Sequence, residues 1–325
     1  MNYVVEITGG IGKHIMATSF FKWISEKFPE SKIIVTSAFP DLFEHNPRIY
    51  RNLHLSQPYL FEDYVKGNDY RAGEPYKVYE YYREKNKKHL MEVYPKAYGF
   101  NELNENPESE IYLTKGEEMD GEVFRKQNGN YITFQPLGGL VNGVAPNRMK
   151  IDSDQRDMNF ELACKIVAIF FKEGIKVVQI RSQAERPIPG TIQLNIPFRN
   201  TVPISKYSLG HVGIDSSMMH VAAAMKKPQL IFWGGTHKDN LGYGGDGVFN
   251  VATEASMHCR PHVQLPDRAG VFPFKSENEG KEFEYTNEEL EKYVGEFIKF
   301  VKGGTNENTK TNSKMDFKKG INGFK

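Results

Sequence analysis

Cysteine is scarce, neither charge is in surplus, and no long apolar run interrupts the polar stretches. The two cysteines, Cys164 and Cys259, lie far apart in a chain of 325 residues. That is no disulfide framework, and a reducing compartment is the simpler expectation. The charged residues, 42 Lys and Arg against 41 Asp and Glu, leave a formal net charge of +1. So even a balance carries no global electrostatic footprint for nucleic acid, although it is compatible with a local basic cleft. No run of ~18 apolar residues occurs, so no segment is expected to span a membrane. Met1 to Thr8 enters a strand pattern without a basic region and a following apolar stretch, so no signal peptide is expected. Repeats of ~20–50 residues are missing as well, which excludes solenoids.

Aromatic residues, by contrast, are plentiful: 22 Phe and 17 Tyr bring the aromatic share to 13%. Side chains of that size supply buried area and argue against disorder. At roughly 100–200 residues per domain, the length calls for two domains.

The start of the chain reads as strand, helix, strand. Tyr3-Val4-Val5-Glu6-Ile7 reads as a buried strand. A glycine-rich turn follows, then a helix with Ala17, Phe20, Phe21, Ile24 and Phe28 on one face, then a second strand at Lys32–Thr36. Two strands joined by a helix in about 35 residues form a βαβ unit, which demands parallel pairing. The segment 76–94 suits a helix with Tyr79, Tyr82, Leu90 and Val93 as contacts. Residues 105–129 are polar with few core candidates, and Asn128-Gly129-Asn130 is the expected linker. The pattern then restarts, with strands at 131–134, 176–180, 211–214 and 228–233. Helices are expected over 159–173, closed by Gly174, and over 216–225. Thr286 and Glu289 form a capping box ahead of Leu290, Val294, Phe297, Ile298 and Val301. The expected organisation is therefore an α/β domain over 1–128, a second over 129–302, and a polar, disordered tail over 303–325.

Four constellations could carry chemistry. Gly9-Gly10-Ile11-Gly12-Lys13-His14 joins the first strand to the first helix. Glycines there admit a ligand to the backbone, and the helix N-terminus favours an anion. The spacing fits neither a Walker A loop nor a dinucleotide fingerprint. A tight turn that needs glycine for geometry alone is the competing reading. In Gly213-Ile214-Asp215-Ser216-Ser217-Met218-Met219-His220 a strand ends and a helix begins. Its first-turn amides would face the crevice at the carboxyl ends of the strands, where a diphosphate is the natural guest. Simple capping, with His220 satisfied in the core, is the alternative. Trp233-Gly234-Gly235-Thr236 and Gly242-Tyr243-Gly244-Gly245 could seat a base, ribose or phosphate, or could merely be flexible loops. His258-Cys259-Arg260-Pro261-His262 is one cluster without a second pair at zinc spacing, so no metal site is expected.

The block from Asp215 through His220 to Val221-Ala222-Ala223-Ala224 and Pro228 resembles the Asp-Thr/Ser-Gly/Ser-x-x-His-x-Ala-Ala-Ala-x-x-x-Pro block of glycosyltransferase family 9, the ADP-heptose:lipopolysaccharide heptosyltransferase group. Ile231-Phe232-Trp233-Gly234-Gly235-Thr236 looks like that family's next strand and Phe-Gly-Pro-Thr loop. Gly9-Gly10-Ile11-Gly12 through Ala17-Thr18 is similar to its Gly-Gly-x-Gly-Asp-x-x-x-Thr-x-Pro start. Phe28-Pro29 to Val35, Phe43-Glu44-His45-Asn46-Pro47 and Gln135-Pro136-Leu137-Gly138-Gly139 also fit. The likeness covers residues 3–50 and 130–245.

The resemblance implies a GT-B architecture, two Rossmann-like domains facing a cleft, with a nucleotide-sugar donor held mainly by the C-terminal one. It implies inverting, metal-independent transfer to an acceptor hydroxyl, with the nucleotide sugar as co-substrate and no cofactor. Gly138, Gly139, Asp215, Ser216, Ser217, His220, Gly234, Gly235 and Thr236 become the donor-binding set, and Gly9, Gly10 and Gly12 the acceptor-side loop. Arg156 matches the family's leaving-group lysine, and its fork suits phosphate. The family's acceptor-activating Asp is Lys13 here. A lysine, with an ordinary pKa of ~10.4, is charged at neutral pH and accepts no proton. Lys13 would instead bind donor phosphate or an anionic acceptor, with His14 as the nearest alternative base. Two rivals stand beside the transferase: a catalytically degenerate nucleotide-sugar-binding protein, motivated by Lys13, and a GT-B-like nucleotide-sugar epimerase. The acceptor is a glycan or another hydroxyl compound, with nucleic acid the minority reading. The expected location is the cytoplasm, with the membrane surface as a peripheral option.

Overall fold

Helices or long segments connect successive strands, so each strand returns to its sheet in the same direction. The computed structural model describes residues 2–73, 88–138, 156–183, 185–234, 236, 238–257 and 281–312. In the first half, β1 (Tyr3–Ile7) leads through α1 (Ile11–Lys27) to β2 (Ile33–Ser37), then to β3 (Ile49–His54) and β4 (Asp69–Ala72). These pair in parallel in the order β3-β2-β1-β4. Two helices follow, α2 (Leu90–Ala97) and α3 (Lys115–Asn128).

The second half begins at β5 (Tyr131–Gln135). It continues through α4 (Phe160–Lys172), β6 (Lys176–Ile180), β7 (Ile192–Leu194), α5 (Phe198–Lys206), β8 (His211–Gly213) and α6 (Ser217–Ala224). Beyond these come β9 (Gln229–Trp233), α7 (Lys238–Leu241), β10 (Val248–Ala252), α8 (Glu254–Met257) and α9 (Asn287–Asn312). Its six strands are all parallel, in the order β10-β9-β8-β5-β6-β7. Read from the other edge this is the doubly wound order 3-2-1-4-5-6, whose direction of winding reverses between β5 and β8.

The apolar residues bury themselves in two clusters. One lies on the outer side of the second sheet, where Leu162, Ile166 and Phe170 of α4 meet Val294, Phe297 and Ile298 of α9. The other runs without a break from the first sheet through α1 to Met218, Met219 and Val221 of α6. Helix α1 therefore buries more than the single face its spacing suggested. Every residue from His14 to Phe21 is buried, because α1 is packed by its own sheet, by α2 and by α6. A helix covered on several sides hides its whole circumference.

Three local expectations change. The helix expected over 76–94 is described only from Leu90; Lys88 and His89 are not helical. His89 is its extended N-cap, whose Nδ1 accepts from the Met91 amide while Glu92 accepts from the His89 amide. That box stops the helix from running back through 89. Residues 74–87 lie outside the described residues. Within the polar stretch 105–129, α3 is a well-capped helix, with Thr114 Oγ1 accepting from the Glu117 amide at 3.1 Å. It packs on α5 through Gly121, where a Cβ would lie 2.7 Å from the Pro203 carbonyl oxygen. Finally, α9 opens on its expected capping box, with Glu289 Oε2 accepting from the Thr286 amide at 2.8 Å, and continues to Asn312. It passes Gly303-Gly304, where the polar tail was expected to begin, because adding residues to a nucleated helix costs little. The remainder of that tail, 313–325, lies outside the described residues.

Candidate functional site

Where the second sheet reverses its winding, the strand ends splay and leave a crevice. The donor-side residues singled out in the sequence and described in the structure flank it. Gln135 ends β5 and Gly138 follows it, Asp215, Ser216 and Ser217 follow β8, and Gly234 and Thr236 follow β9. Arg156 and Asp157 reach the same place from the start of the segment leading to α4. The Gly138 amide donates to Asp157 Oδ1 at 2.6 Å, and a Cβ on Gly138 would sit 3.6 Å from Arg156 Nη2. Asp215 is buried, and burial pushes its carboxyl above the usual range, while the Arg156 charge and the Thr236 hydroxyl pull the other way. A guanidinium and a carboxyl thus share the crevice although 58 intervening residues separate them in sequence.

Helix α6 opens differently from the expected Asp or Ser cap. Ser216 is the N-cap, with extended backbone, yet its side chain makes no capping bond. The Met218 amide donates instead to Gln135 Oε1 at 3.2 Å, and the Ser217 hydroxyl lies 3.5 Å from the same oxygen. A long-range side chain has taken the place of a local cap, because β5, which ends in Gln135, lies beside β8, which leads into α6. Ser217 is partly exposed, whereas Asp215, Ser216 and His220 are buried.

The glycine turn of the first half meets this helix. Gly9 has φ +96°, a conformation that favours glycine. The Lys13 side chain folds over it, so that a Cβ there would lie 2.8 Å from Lys13 Cδ. Gly12 faces His220: a Cβ on Gly12 would sit 2.6 Å from His220 Cδ2 and 3.0 Å from its Nε2. His220 Nδ1 pairs with the Tyr243 hydroxyl at 2.8 Å, and Nε2 stands 3.9 Å from Asp215 Oδ1. Burial first, and His89 second, drive its imidazole down to about 3, so the ring is neutral near pH 7. Tyr94 of α2 fixes the turn by donating to the Lys13 carbonyl at 2.8 Å.

His14 does not join them. Its ring is fully buried, edge-on to Phe39 at 5.0 Å and stacked on Phe43 at 5.9 Å, with Nδ1 3.0 Å from the Gly10 carbonyl. Burial lowers its basicity. Two residues along a helix turn the side chain by about 200°, so Gly12 facing α6 points His14 away from it. Its proposed service as an acceptor-side base is therefore corrected to a core position.

Glu185, in the loop after β6, went unnoticed in the sequence. Its Oε1 accepts from the Ser182 amide at 3.2 Å, and its Oε2 is buried with no hydrogen-bond partner among the described residues. Burial raises its carboxyl, and the Asp157 charge raises it further, which places it near the β5 side of the crevice. The available signal was an acidic residue soon after the second strand of a βαβ unit, the place where such folds engage ribose. Gly139, Gly235 and the His258–His262 cluster lie outside the described residues. Among the described residues, no group of three His, Cys, Asp or Glu could hold a metal, and no helix is long and apolar enough to cross a membrane.

No protein-family model matches the chain, and no curated protein matches it. Solved structures do. The glycosyl transferase family 9 structure from Veillonella parvula DSM 2008 aligns with a TM-score of 0.63 at 12% identity, covering 91% of this chain and 97% of its own. The iron-containing dodecameric glycosyltransferase TibC from enterotoxigenic E. coli H10407 gives 0.62 at 11%, over 93% and 79%. E. coli ADP-heptose lps heptosyltransferase II gives 0.51 at 14%, over 91% and 99%. With two parallel sheets joined across α1 and α6, this chain has the GT-B fold, in the form found in solved structures of glycosyltransferase family 9 and its heptosyltransferases.

Proposed function

We propose that the protein is a glycosyltransferase of the heptosyltransferase type, moving a sugar from a nucleotide-sugar donor to an acceptor hydroxyl with inversion and without a metal. One observation carries this reading. Asp215 and Ser217 stand at the start of α6 beside the switch point of the second sheet, Arg156 acts on the Asp215 carboxyl, and His220, one turn on, packs against Gly12 of the glycine turn of the first. A crevice of this kind takes a nucleotide, and the residues lining it suit a diphosphate. Glu185, after the second strand, is placed to accept from ribose hydroxyls.

In the reaction, the acceptor oxygen bonds to the anomeric carbon as the bond to the diphosphate oxygen breaks, and the hydroxyl proton is released to solvent. The leaving group gains negative charge, which the Arg156 guanidinium and the Ser217 amide at the start of α6 meet. Lys13 adds positive charge on the acceptor side, suited to an anionic acceptor. ADP-heptose is the first donor to test, because structures of the same fold include an ADP-heptose enzyme. The test is release of nucleoside diphosphate across a panel of nucleotide sugars and acceptors. Turnover should fall by roughly 10²–10³-fold in Arg156→Gln. Absence of both binding and turnover across the panel would overturn the proposal.

One observation favours a second reading, a nucleotide-sugar-binding protein without transfer activity. Lys13 stands at the family's Asp position and His14 is buried, so the turn offers no accessible base at either place. That reading predicts donor binding by calorimetry without turnover, and a gain of turnover in Lys13→Asp.

A further inference from the structure

Helix α6 has a serine at its N-cap and does not use it. A capping serine accepts from the second or third amide of its helix. At α6 both are already taken. The Met218 amide donates to Gln135 Oε1 at 3.2 Å, and the Met219 amide donates to the Ser216 carbonyl at 3.2 Å. A backbone N–H can only donate, so the carboxamide arm of Gln135 that faces α6 is the oxygen. The Ser216 side chain makes no capping bond, and its Oγ is buried with no hydrogen-bond partner among the described residues. The residue as a whole is 6% exposed, and a hydroxyl left unsatisfied at that depth is unfavourable. Gln135 is brought to the amide by its strand. It pairs with Gly213 of β8, where a Cβ would lie 2.6 Å from the Gln135 carbonyl oxygen and 2.9 Å from His211 Nε2. The missing side chain at 213 lets the ends of β5 and β8 sit this close.

With Gln135 serving as the cap, the Ser216 hydroxyl stays uncommitted just past the end of β8, where the crevice opens. The Ser217 amide beside it likewise makes no hydrogen bond among the described residues. A hydroxyl and an amide side by side at a helix N-terminus both donate to an anionic oxygen. We infer that Gln135 is a positioning residue that caps α6 in place of Ser216, and thereby reserves the Ser216 hydroxyl and the Ser217 amide for phosphate oxygens of the donor. Were Ser216 itself the cap, its oxygen would be committed to the α6 amides and a ligand would have to displace it. A cap supplied from the neighbouring strand removes that competition. The inference rests on the proposed function for the identity of the ligand, but the exchange of caps does not depend on it.

The test uses the full chain and combines urea unfolding with calorimetric titration of ADP, UDP and GDP and of their nucleosides. Gln135→Met keeps the length of the side chain and removes the acceptor. Ser216 should then take over the Met218 amide. The preferred nucleoside diphosphate should bind about five- to tenfold more weakly, the loss expected for one hydrogen bond, while binding of its nucleoside is unchanged. Ser216→Ala alone should leave the urea midpoint at or above the wild-type value, because the hydroxyl bonds nothing in the folded chain. It should still weaken the diphosphate by a similar factor. In the Gln135→Met background the same Ser216→Ala change should lower the midpoint, because there the serine is the cap. An unchanged diphosphate affinity in either single variant overturns the inference, as does an equal effect of Ser216→Ala on the midpoint in the two backgrounds. If Gln135→Met does not fold, Ser216→Ala decides by itself: a lowered midpoint or an unchanged diphosphate affinity overturns the inference. A wild type that binds none of the three diphosphates overturns the functional proposal instead, and the unfolding cycle then decides the exchange of caps.

Discussion

Gly12 and His220 meet where the two halves press together, and the missing side chain at 12 sets how closely they do so. The imidazole is held at Nδ1 by Tyr243, so it has little freedom to retreat from a new methyl group. Gly12→Ala should therefore cost about 1–3 kcal/mol, the range for overpacking a filled site. It should also weaken nucleotide binding, because relief requires α1 and α6 to part. Denaturant unfolding and calorimetry on the same variant measure both. Neighbouring positions show how far the sequence alone reaches. The motif named Lys13 and His14 together, yet helical geometry sends one over Gly9 and the other into the core against Phe39 and Phe43.

Helix α3 is tied to α5 by Arg199, whose Nε donates to Glu117 Oε1 at 2.7 Å and whose Nη2 donates to Oε2 at 3.0 Å. The guanidinium is 5% exposed as part of its residue, so losing its anion would leave a buried charge uncompensated. Glu117→Gln preserves the capping box with Thr114, which accepts either residue, and removes only the charge. A loss of about 3 kcal/mol is expected, read as a lower urea midpoint at unchanged slope. The bond from Arg199, first of all, holds the Glu117 carboxyl down at about 2. Because the folded value is below the unfolded one of ~4.3, this contribution is full above that pH and is lost as pH falls towards 2. The capping box of α3 was readable at Thr114 and Glu117. Its partner was not, since Arg199 lies in a different helix 82 residues away.

One apolar core serves both sheets through α1 and α6, so the halves should unfold together, and four imidazoles unfold with them. His14, His89, His211 and His220 are all pushed down mainly by burial, His211 and His220 to about 3. Folded values below the unfolded ~6.5 mean that the unfolded chain binds more protons. Stability is then full above pH 6.5 and falls as pH drops below it, until the folded groups themselves titrate. Between pH 6 and 4, His211 and His220 alone should give an uptake of about two protons on unfolding, seen as the slope of unfolding free energy against pH. His211→Gln should flatten that slope by about one proton. A slope near zero in the wild type would contradict the burial of these rings.

The sequence by itself determined the features that depend on nearest neighbours along the chain. These are the βαβ start, its restart at Tyr131, the glycine turn at Gly9, the helix opening at Asn159 and the box at Thr286 and Glu289. Each is decided by periodicity, turn chemistry or capping within a few residues. Only the tertiary structure decided that β5 lies beside β8. From that follow Gln135 on the α6 amide and Arg156 beside Asp215. Strand order is a choice among long-range pairings whose energies the local pattern does not encode, and the crevice exists because of that choice.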